Sequence, residues 1–173
     1  HRRLIDLPGT YGGAGVIQKG WLSARQVRRA AWAAIALGLL AGIPAFLNDK
    51  VPVAVLAALV LLGGIGYSWA PLGLKYRGLG DLAVFLLCGP GLTLGFSIAA
   101  FGQVNVATVL VGAAFGFAAV AILHCNNLQD IEIDEARGAH TVASSLGVPR
   151  SRIYLVLLYI ATFASWAPRG SSR

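Results

Sequence analysis

The sequence predicts an all-α protein, a bundle of transmembrane helices. Hydrophobic residues make up 57% of its 173 residues and charged residues only 12%, about half of the charged share of a typical soluble domain. The charges are also unevenly spread, and long stretches carry none. So much apolar surface excludes a disordered chain. A large soluble core would need helices with one polar face, and the charge-free stretches show none.

The charge-free stretches divide into five predicted spans. A bilayer core about 30 Å thick needs roughly 20 apolar residues of helix. The stretch 82–123 is long enough for two spans, and it is divided at its polar interruption near residue 103. The last predicted span is slightly short. The predicted spans are 30–47, 51–74, 82–102, 105–123 and 153–167.

Basic residues predict the orientation of these spans, because Lys and Arg are retained on the cytoplasmic side. Eleven of the fourteen basic residues lie in the segments 1–29, 75–81 and 124–152, which we therefore assign to the cytoplasm. Six of the seven acidic residues lie there too. The net charge of +7 is thus explained by topology, and no nucleic-acid partner is expected. The tail 168–173 breaks the pattern and is interpreted as atypical or truncated.

A candidate for chemistry follows the fourth predicted span, in the segment HCNNLQDIEIDEARG (124–138). If the helix continues through it, Asn127, Asp130, Asp134 and Arg137 share one face within about 80° of arc. The two glutamates of the segment then face solvent. Two carboxylates one turn apart repel without a counterion, and oxygen ligands of this kind suit Mg²⁺ shared with a phosphate. The spacing taken alone fits an ordinary solvated helix face better than a metal site.

The other two cytoplasmic segments carry complementary groups. Lys75 and Arg77 lie in the string KYRGLGD (75–81), directly after a predicted span, and Lys19 and Asp6 lie in a glycine-rich opening segment. Lysine and arginine bind phosphate oxygens well. Each basic residue taken singly is explained by topology. The convergence of cations and carboxylates from three segments instead predicts a metal–diphosphate site at the cytoplasmic mouth of the bundle.

Two strings, YSWAPLGLKYRGLGDLAVFLLCGPG (67–91) and ILHCNNLQDIEIDEARGAHTVASSLG (122–147), resemble the UbiA-type intramembrane prenyltransferases. They are most similar to the branch that prenylates 1,4-dihydroxy-2-naphthoate in menaquinone biosynthesis. The opening segment is similar to the loop after that family's first aspartate motif, NDxxD, and Asp6 matches its trailing aspartate. The resemblance implies a nine-helix bundle, of which residues 1–167 supply five spans. Since the chain also lacks Met, we expect a fragment that is inactive alone.

The resemblance implies an enzyme that transfers a polyprenyl group from polyprenyl diphosphate to an aromatic quinone precursor. Two aspartate motifs hold Mg²⁺ against the diphosphate in this family. The catalytic and metal-binding residues so implied are Asn127, Asp130 and Asp134, with Asp6 as a further metal ligand. The diphosphate-binding residues so implied are Lys75, Arg77, Arg137 and Lys19. Tyr67 is either a ring that shields the allylic cation or an aromatic residue of the membrane interface.

Other acceptors stay open, namely 4-hydroxybenzoate, homogentisate or a tetrapyrrole, because pocket shape selects the acceptor. A transporter is the less expected alternative, since the charge-free stretches hold no acids. We expect an integral protein of a bacterial or archaeal cell membrane, with its active site on the cytoplasmic face.

The chain departs from the family pattern at Gln129, Glu135 and Ala139, where a basic residue is often found. Arg137 and His140 are nearby partial substitutes. His124, at the end of the fourth predicted span, is interpreted as a structural residue, with a role as ligand or base as the alternative.

Overall fold

The computed structural model describes residues 15–17, 19–48, 50–69, 71–136 and 138–166. These residues form helices joined by short turns, and no β-strand occurs among them, which confirms the predicted all-α class. The chain divides into two compact units, His1–Pro44 and Ala45–Arg173.

The first unit contains helix α1 (Ala24–Ala41), which follows turns at residues 15–17 and 19–22. A reciprocal cap fixes its start: the Gln26 N–H donates to Ser23 Oγ at 3.2 Å, and the Ser23 N–H donates to Gln26 Oε1 at 2.8 Å. The helix ends at Gly42, and α2 (Ile43–Asn48) begins at the next residue. The span predicted over 30–47 is therefore helical but divided at Gly42.

Four helical segments of the second unit are long and apolar enough, by length and composition, to cross a membrane. These are Val51–Ser68, Gly80–Phe101, Val106–Gln129 and Val142–Trp166. At most 28% of the most apolar window of any of them is buried inside the protein, so their large apolar side chains are left to contact lipid. The protein is an integral membrane protein. The region 30–47 is not among these segments, and a span there stays a prediction.

Helix α3 (Lys50–Ser68) is the first of these segments. The second is composite, because α4 (Gly80–Leu86) passes through a π-helical turn, Leu87–Gly91, into α5 (Leu92–Phe101). The wide turn contains Pro90, which has no backbone N–H to offer. The next helix along the chain is α6 (Val106–Gln129).

The π-helical turn presses directly on α6. A methyl group at Gly89 would lie 2.5 Å from the Gly112 carbonyl oxygen and 2.7 Å from Gly116 Cα. Backbones this close require glycine on both sides of the contact. The Gly112 and Gly116 pair therefore serves packing within this unit.

Helix α8 (Val142–Trp166) closes the unit and packs along α6. It is interrupted at Gly147, whose φ of 67° and ψ of 169° are non-helical. Residues 142–152, predicted as part of a cytoplasmic segment, are thus largely helical. The span predicted over 153–167 begins after the interruption. The buried core between α6 and α8 consists of Val120, Ala121 and Leu158, and Phe85 and Phe117 pack against it.

Candidate active site

The second aspartate motif lies where α6 ends. Asp130 follows the last residue of α6 and leaves helical geometry, with φ −101° and ψ 11°. The short helix α7 (Ile131–Ala136) then carries Asp134. The prediction of one continuous helix through the motif is therefore wrong. Aspartate is a poor residue for a helix interior because its side chain competes for backbone N–H groups.

The two aspartates nevertheless remain one turn apart. The Asp130 N–H donates to the Asn126 carbonyl at 3.1 Å, and the Asp134 N–H donates to the Asp130 carbonyl at 2.8 Å. Asn127, Asp130 and Asp134 are half-buried, whereas Glu132 and Glu135 are exposed. The two glutamates are thus more exposed to solvent than the three residues predicted to bind the metal, whose role stays a prediction.

Two half-buried carboxylates and an amide oxygen form an oxygen-only donor set, the kind that Mg²⁺ uses beside phosphates. Within the described ranges, no three His, Cys, Asp or Glu side chains gather closely enough to hold a metal ion. The motif therefore fits Mg²⁺ only as part of a site. Further ligands have to come from phosphate oxygens, water or residues such as Asp6, which lies outside the described residues.

The segment 71–79 holds two of the predicted diphosphate-binding cations. Lys75 is half-buried in a short 3₁₀ turn, Leu74–Tyr76, with its Nζ atom 4.8 Å from the centre of the Tyr76 ring. Arg77 is exposed, and its Nη2 donates to the Pro71 carbonyl at 2.7 Å. One N–H of the Arg77 guanidinium is thus already engaged by the loop itself.

A pair of backbone hydrogen bonds joins this loop to the one that follows α7. The Gly78 N–H donates to the His140 carbonyl at 2.6 Å, and the His140 N–H donates to the Tyr76 carbonyl at 3.0 Å. Gly78 has a φ of 74°, which glycine adopts without strain. Two of the three predicted cytoplasmic segments therefore lie side by side. Arg137, between them and the motif, lies outside the described residues.

The remaining predicted residues are placed as follows. Lys19 belongs to the first unit, is exposed, and has its Nζ atom 4.8 Å from the Trp21 ring centre. Tyr67 is half-buried in the last turn of α3, and Trp69 beyond it is 66% exposed. This exposure is typical of an interfacial aromatic residue.

A buried polar group lies deeper in the second unit, and it includes His124, which we interpret from the sequence as structural. His124 is fully buried in α6, and its Nδ1 atom is 3.6 Å from Oδ2 of Asp81, in the first turn of α4. The ring of Tyr154, on α8, meets the His124 ring edge-on at 4.7 Å between centres. The Tyr154 hydroxyl also interacts with the Asp81 carboxyl.

This group borders a cavity of about 430 Å³ between α4, α6 and α8. Asp81 and Tyr154 supply polar groups to its wall, and apolar side chains including Phe85, Phe117 and Leu158 supply most of the rest. Asp81 had been assigned to a cytoplasmic segment. Its signals in the sequence are its place at the boundary of a charge-free stretch and in the string KYRGLGD (75–81), whereas Tyr154 carries no signal.

Comparison with known proteins identifies the family. The model of the UbiA prenyltransferase family matches residues 15–172. The chain belongs to the UbiA prenyltransferase family.

Two bacterial relatives of the same name match most of the chain. The chain is 28% identical over 168 residues to the 1,4-dihydroxy-2-naphthoate octaprenyltransferase of Escherichia coli, which covers 94% of this chain and 54% of that protein. The Mycobacterium tuberculosis protein of the same name is 33% identical over 138 residues, 79% of this chain and 47% of the relative.

A eukaryotic relative matches as well. The UbiA prenyltransferase domain-containing protein 1 of Dictyostelium discoideum is 35% identical over 108 residues, 62% of this chain and 33% of that protein. The chain therefore spans about half the length of the bacterial relatives and a third of this one. No solved structure matches the chain significantly.

Proposed function

We propose that the protein transfers a polyprenyl group from polyprenyl diphosphate to 1,4-dihydroxy-2-naphthoate, a step of menaquinone synthesis. The observation that carries this proposal is the pair of half-buried carboxylates, Asp130 and Asp134, at the end of an apolar helix. The family membership and the names of the two bacterial relatives support it. The distribution of basic residues supports a site on the cytoplasmic face of the membrane. The bacterial relatives support a bacterial or archaeal cell membrane as its place.

Asp130, Asp134 and Asn127 hold Mg²⁺ in this proposal, together with Asp6. When bound, the ion neutralises charge that develops on the departing diphosphate, so that the allylic C–O bond ionises. Electrostatic stabilisation in a water-poor site is commonly the largest catalytic term. The half-burial of the two aspartates supports such a site, because partial desolvation strengthens their attraction to a cation.

Cations of the two adjoining loops bind the phosphate oxygens. Lys75 offers an ammonium group, and Arg77 keeps four of the five guanidinium N–H donors after its bond to Pro71. Arg137 and Lys19 are proposed to complete this set. Tyr67 shields the allylic cation with its ring face, or alternatively anchors α3 at the interface. The prenyl tail requires the apolar interior because it is insoluble in water.

A transporter is the second candidate, since a buried acid in a membrane helix often marks an ion path. Asp81 is such an acid, at the first turn of the segment Gly80–Phe101. Unlike a transporter, however, the proposed enzyme makes a covalent product. A single liposome preparation, assayed for both prenylated product and ion flux, therefore distinguishes the two candidates.

The test uses the full-length protein in liposomes with a radiolabelled polyprenyl diphosphate, Mg²⁺ and each of four acceptors. We expect a prenylated product from 1,4-dihydroxy-2-naphthoate, and its loss when EDTA removes the metal. Product from 4-hydroxybenzoate, homogentisate or a tetrapyrrole instead would reassign the acceptor. Ion flux without any prenylated product would replace the proposal by the transporter.

A further inference from the structure

We propose that Asp81, with His124 behind it and Tyr154 beside it, binds the hydroxyl group of the aromatic acceptor and takes up its proton. The inference rests on the proposed prenyl transfer and assigns the part of the site that receives the ring. Asp81 is the residue that touches the acceptor. His124 acts through Asp81 and is a positioning residue.

Several polar side-chain atoms of this group lack hydrogen-bond partners among the described residues. Asp81 is 6% exposed and His124 is 0% exposed. Within the described part of the chain, Asp81 Oδ2 and both ring nitrogens of His124 have no hydrogen-bond partner. The one close approach, 3.6 Å between Asp81 Oδ2 and His124 Nδ1, exceeds hydrogen-bond distance. Buried polar atoms without partners are rare and call for a functional explanation.

The cavity beside Asp81 indicates the class of ligand. Its volume of about 430 Å³ lies within the range of about 300–1,000 Å³ that is usual for small-molecule sites. Asp81 contributes a carboxylate and Tyr154 a phenol, while the rings of Phe85 and Phe117, 4.8 Å apart, form part of an apolar wall. A flat aromatic ring can pack against this apolar wall, and its hydroxyl group can donate a hydrogen bond to the Asp81 carboxylate.

The register of α6 aligns this cavity with the second aspartate motif. Val120, on the cavity wall, is followed by His124 at i+4 and Asn127 at i+7, so the three share one stripe of the helix. At 1.5 Å of rise per residue, Asp130 lies roughly 9 Å beyond His124 along the axis. If the diphosphate binds at the motif, the first carbon of its prenyl chain can therefore lie on the side of the cavity.

Proton transfer from the acceptor hydroxyl to Asp81 prepares the ring for attack. The acceptor O–H bond breaks, its proton passes to Asp81, and the electron pair remains on the ring oxygen and is shared with the ring. The allylic C–O pair leaves with the diphosphate, and a ring carbon then bonds to the allylic cation that remains. The proton on that ring carbon passes to the diphosphate, and Asp81 returns its proton to the oxygen. The products are a prenylated phenol and protonated diphosphate.

The experiment compares wild type with Asp81→Asn in the full-length protein, using hydroxyaromatic acceptors of graded acidity. General bases contribute about 10²–10⁴-fold, so kcat/KM for a weakly acidic acceptor should fall by about 10²-fold or more. The loss should shrink for acceptors already ionised in solution. Tyr154→Phe should raise the acceptor KM a few-fold, whereas Tyr159→Phe, an exposed tyrosine of the same helix, should match wild type.

Two further results separate the role of Asp81 from misfolding and from a failure of the proposed function. Asp81→Asn should retain the wild-type KM for polyprenyl diphosphate, which shows a folded site. If wild type forms no prenylated product, the proposed function fails. If wild type is active and Asp81→Asn loses equal activity with every acceptor, or loses none, the assignment of Asp81 is overturned and the proposed function stands.

Discussion

The polar mouth at Asn127–Asp134 and the buried group of Asp81, His124 and Tyr154 are two acidic regions in one helical unit. The mouth presents its carboxylates half-buried, at the end of α6, next to exposed glutamates. The inner group encloses one carboxylate and one imidazole almost completely. A carboxylate that keeps contact with water can bind a hydrated cation, whereas an enclosed carboxylate is desolvated and interacts more strongly with the proton of a bound ligand. The two regions therefore suit different steps of one reaction, leaving-group departure and ring activation.

The largest effect should come from the mouth. Replacing Asp134 or Asp130 by Ala should lower prenyl transfer by about 10³-fold or more, because loss of a metal ligand removes stabilisation of several kcal/mol. The effect should be equal for all acceptors. Glu132→Ala, an exposed acid next to both, should retain wild-type rates. Turnover assays of the full-length protein provide the measurement, and retained activity in both aspartate variants would contradict the metal site.

A smaller effect on prenyl transfer is expected from substitution of His124, which acts through Asp81. His124→Phe keeps the aromatic contact with Tyr154 but loses both ring nitrogens, and should reduce acceptor kcat/KM about tenfold, the size of one 1.4 kcal/mol interaction. Combined with Asp81→Asn it should add little, since the two residues act as one unit. Rates of both single variants and the double variant complete the cycle. Fully additive losses would show that His124 works independently of Asp81.

The close contact between the π-helical turn and α6 can be tested by substitution of Gly89. A methyl there meets backbone of Gly112 and Gly116, so Gly89→Ala should destabilise the protein by about 1–3 kcal/mol. Gly64→Ala is the matched control, because nothing lies within 4 Å of its added methyl, and alanine favours a helix by up to about 1 kcal/mol. Thermal unfolding in detergent should separate the two. Equal melting temperatures would mean that α4, α5 and α6 tolerate a looser contact.

The smallest effect should come from Arg77 at the mouth. Its guanidinium is exposed and partly engaged with Pro71, and exposed charge pairs contribute only about 0.2–1 kcal/mol. Arg77→Gln should therefore raise the KM for polyprenyl diphosphate by no more than about fivefold. Arg152→Gln, an exposed arginine of α8, should leave that KM unchanged. A KM for Arg77→Gln equal to that of Arg152→Gln would contradict the proposed contact of Arg77 with the diphosphate.

The sequence predicted a shared face at the mouth but not that Asp81, His124 and Tyr154 meet, for a physical reason. Asp130 and Asp134 lie close together along the chain, so their spacing alone predicted a shared face, although not the break of the helix at Asp130. Asp81, His124 and Tyr154 lie on three helices and meet only through tertiary packing. Charge-free stretches likewise predicted the four long apolar segments, while the interruption at Gly147 depends on a backbone angle that composition does not show.

The two hydrogen bonds between the loops at Gly78 and His140 couple the borders of the mouth mechanically. Both are made by backbone atoms, so exchange of the His140 side chain preserves them, whereas proline at position 78 or 140 would delete one of the two donors. A loop that moves aside for a departing product must therefore carry the other with it or break both bonds. Entry and exit at this edge of the protein are thus expected to be all-or-none.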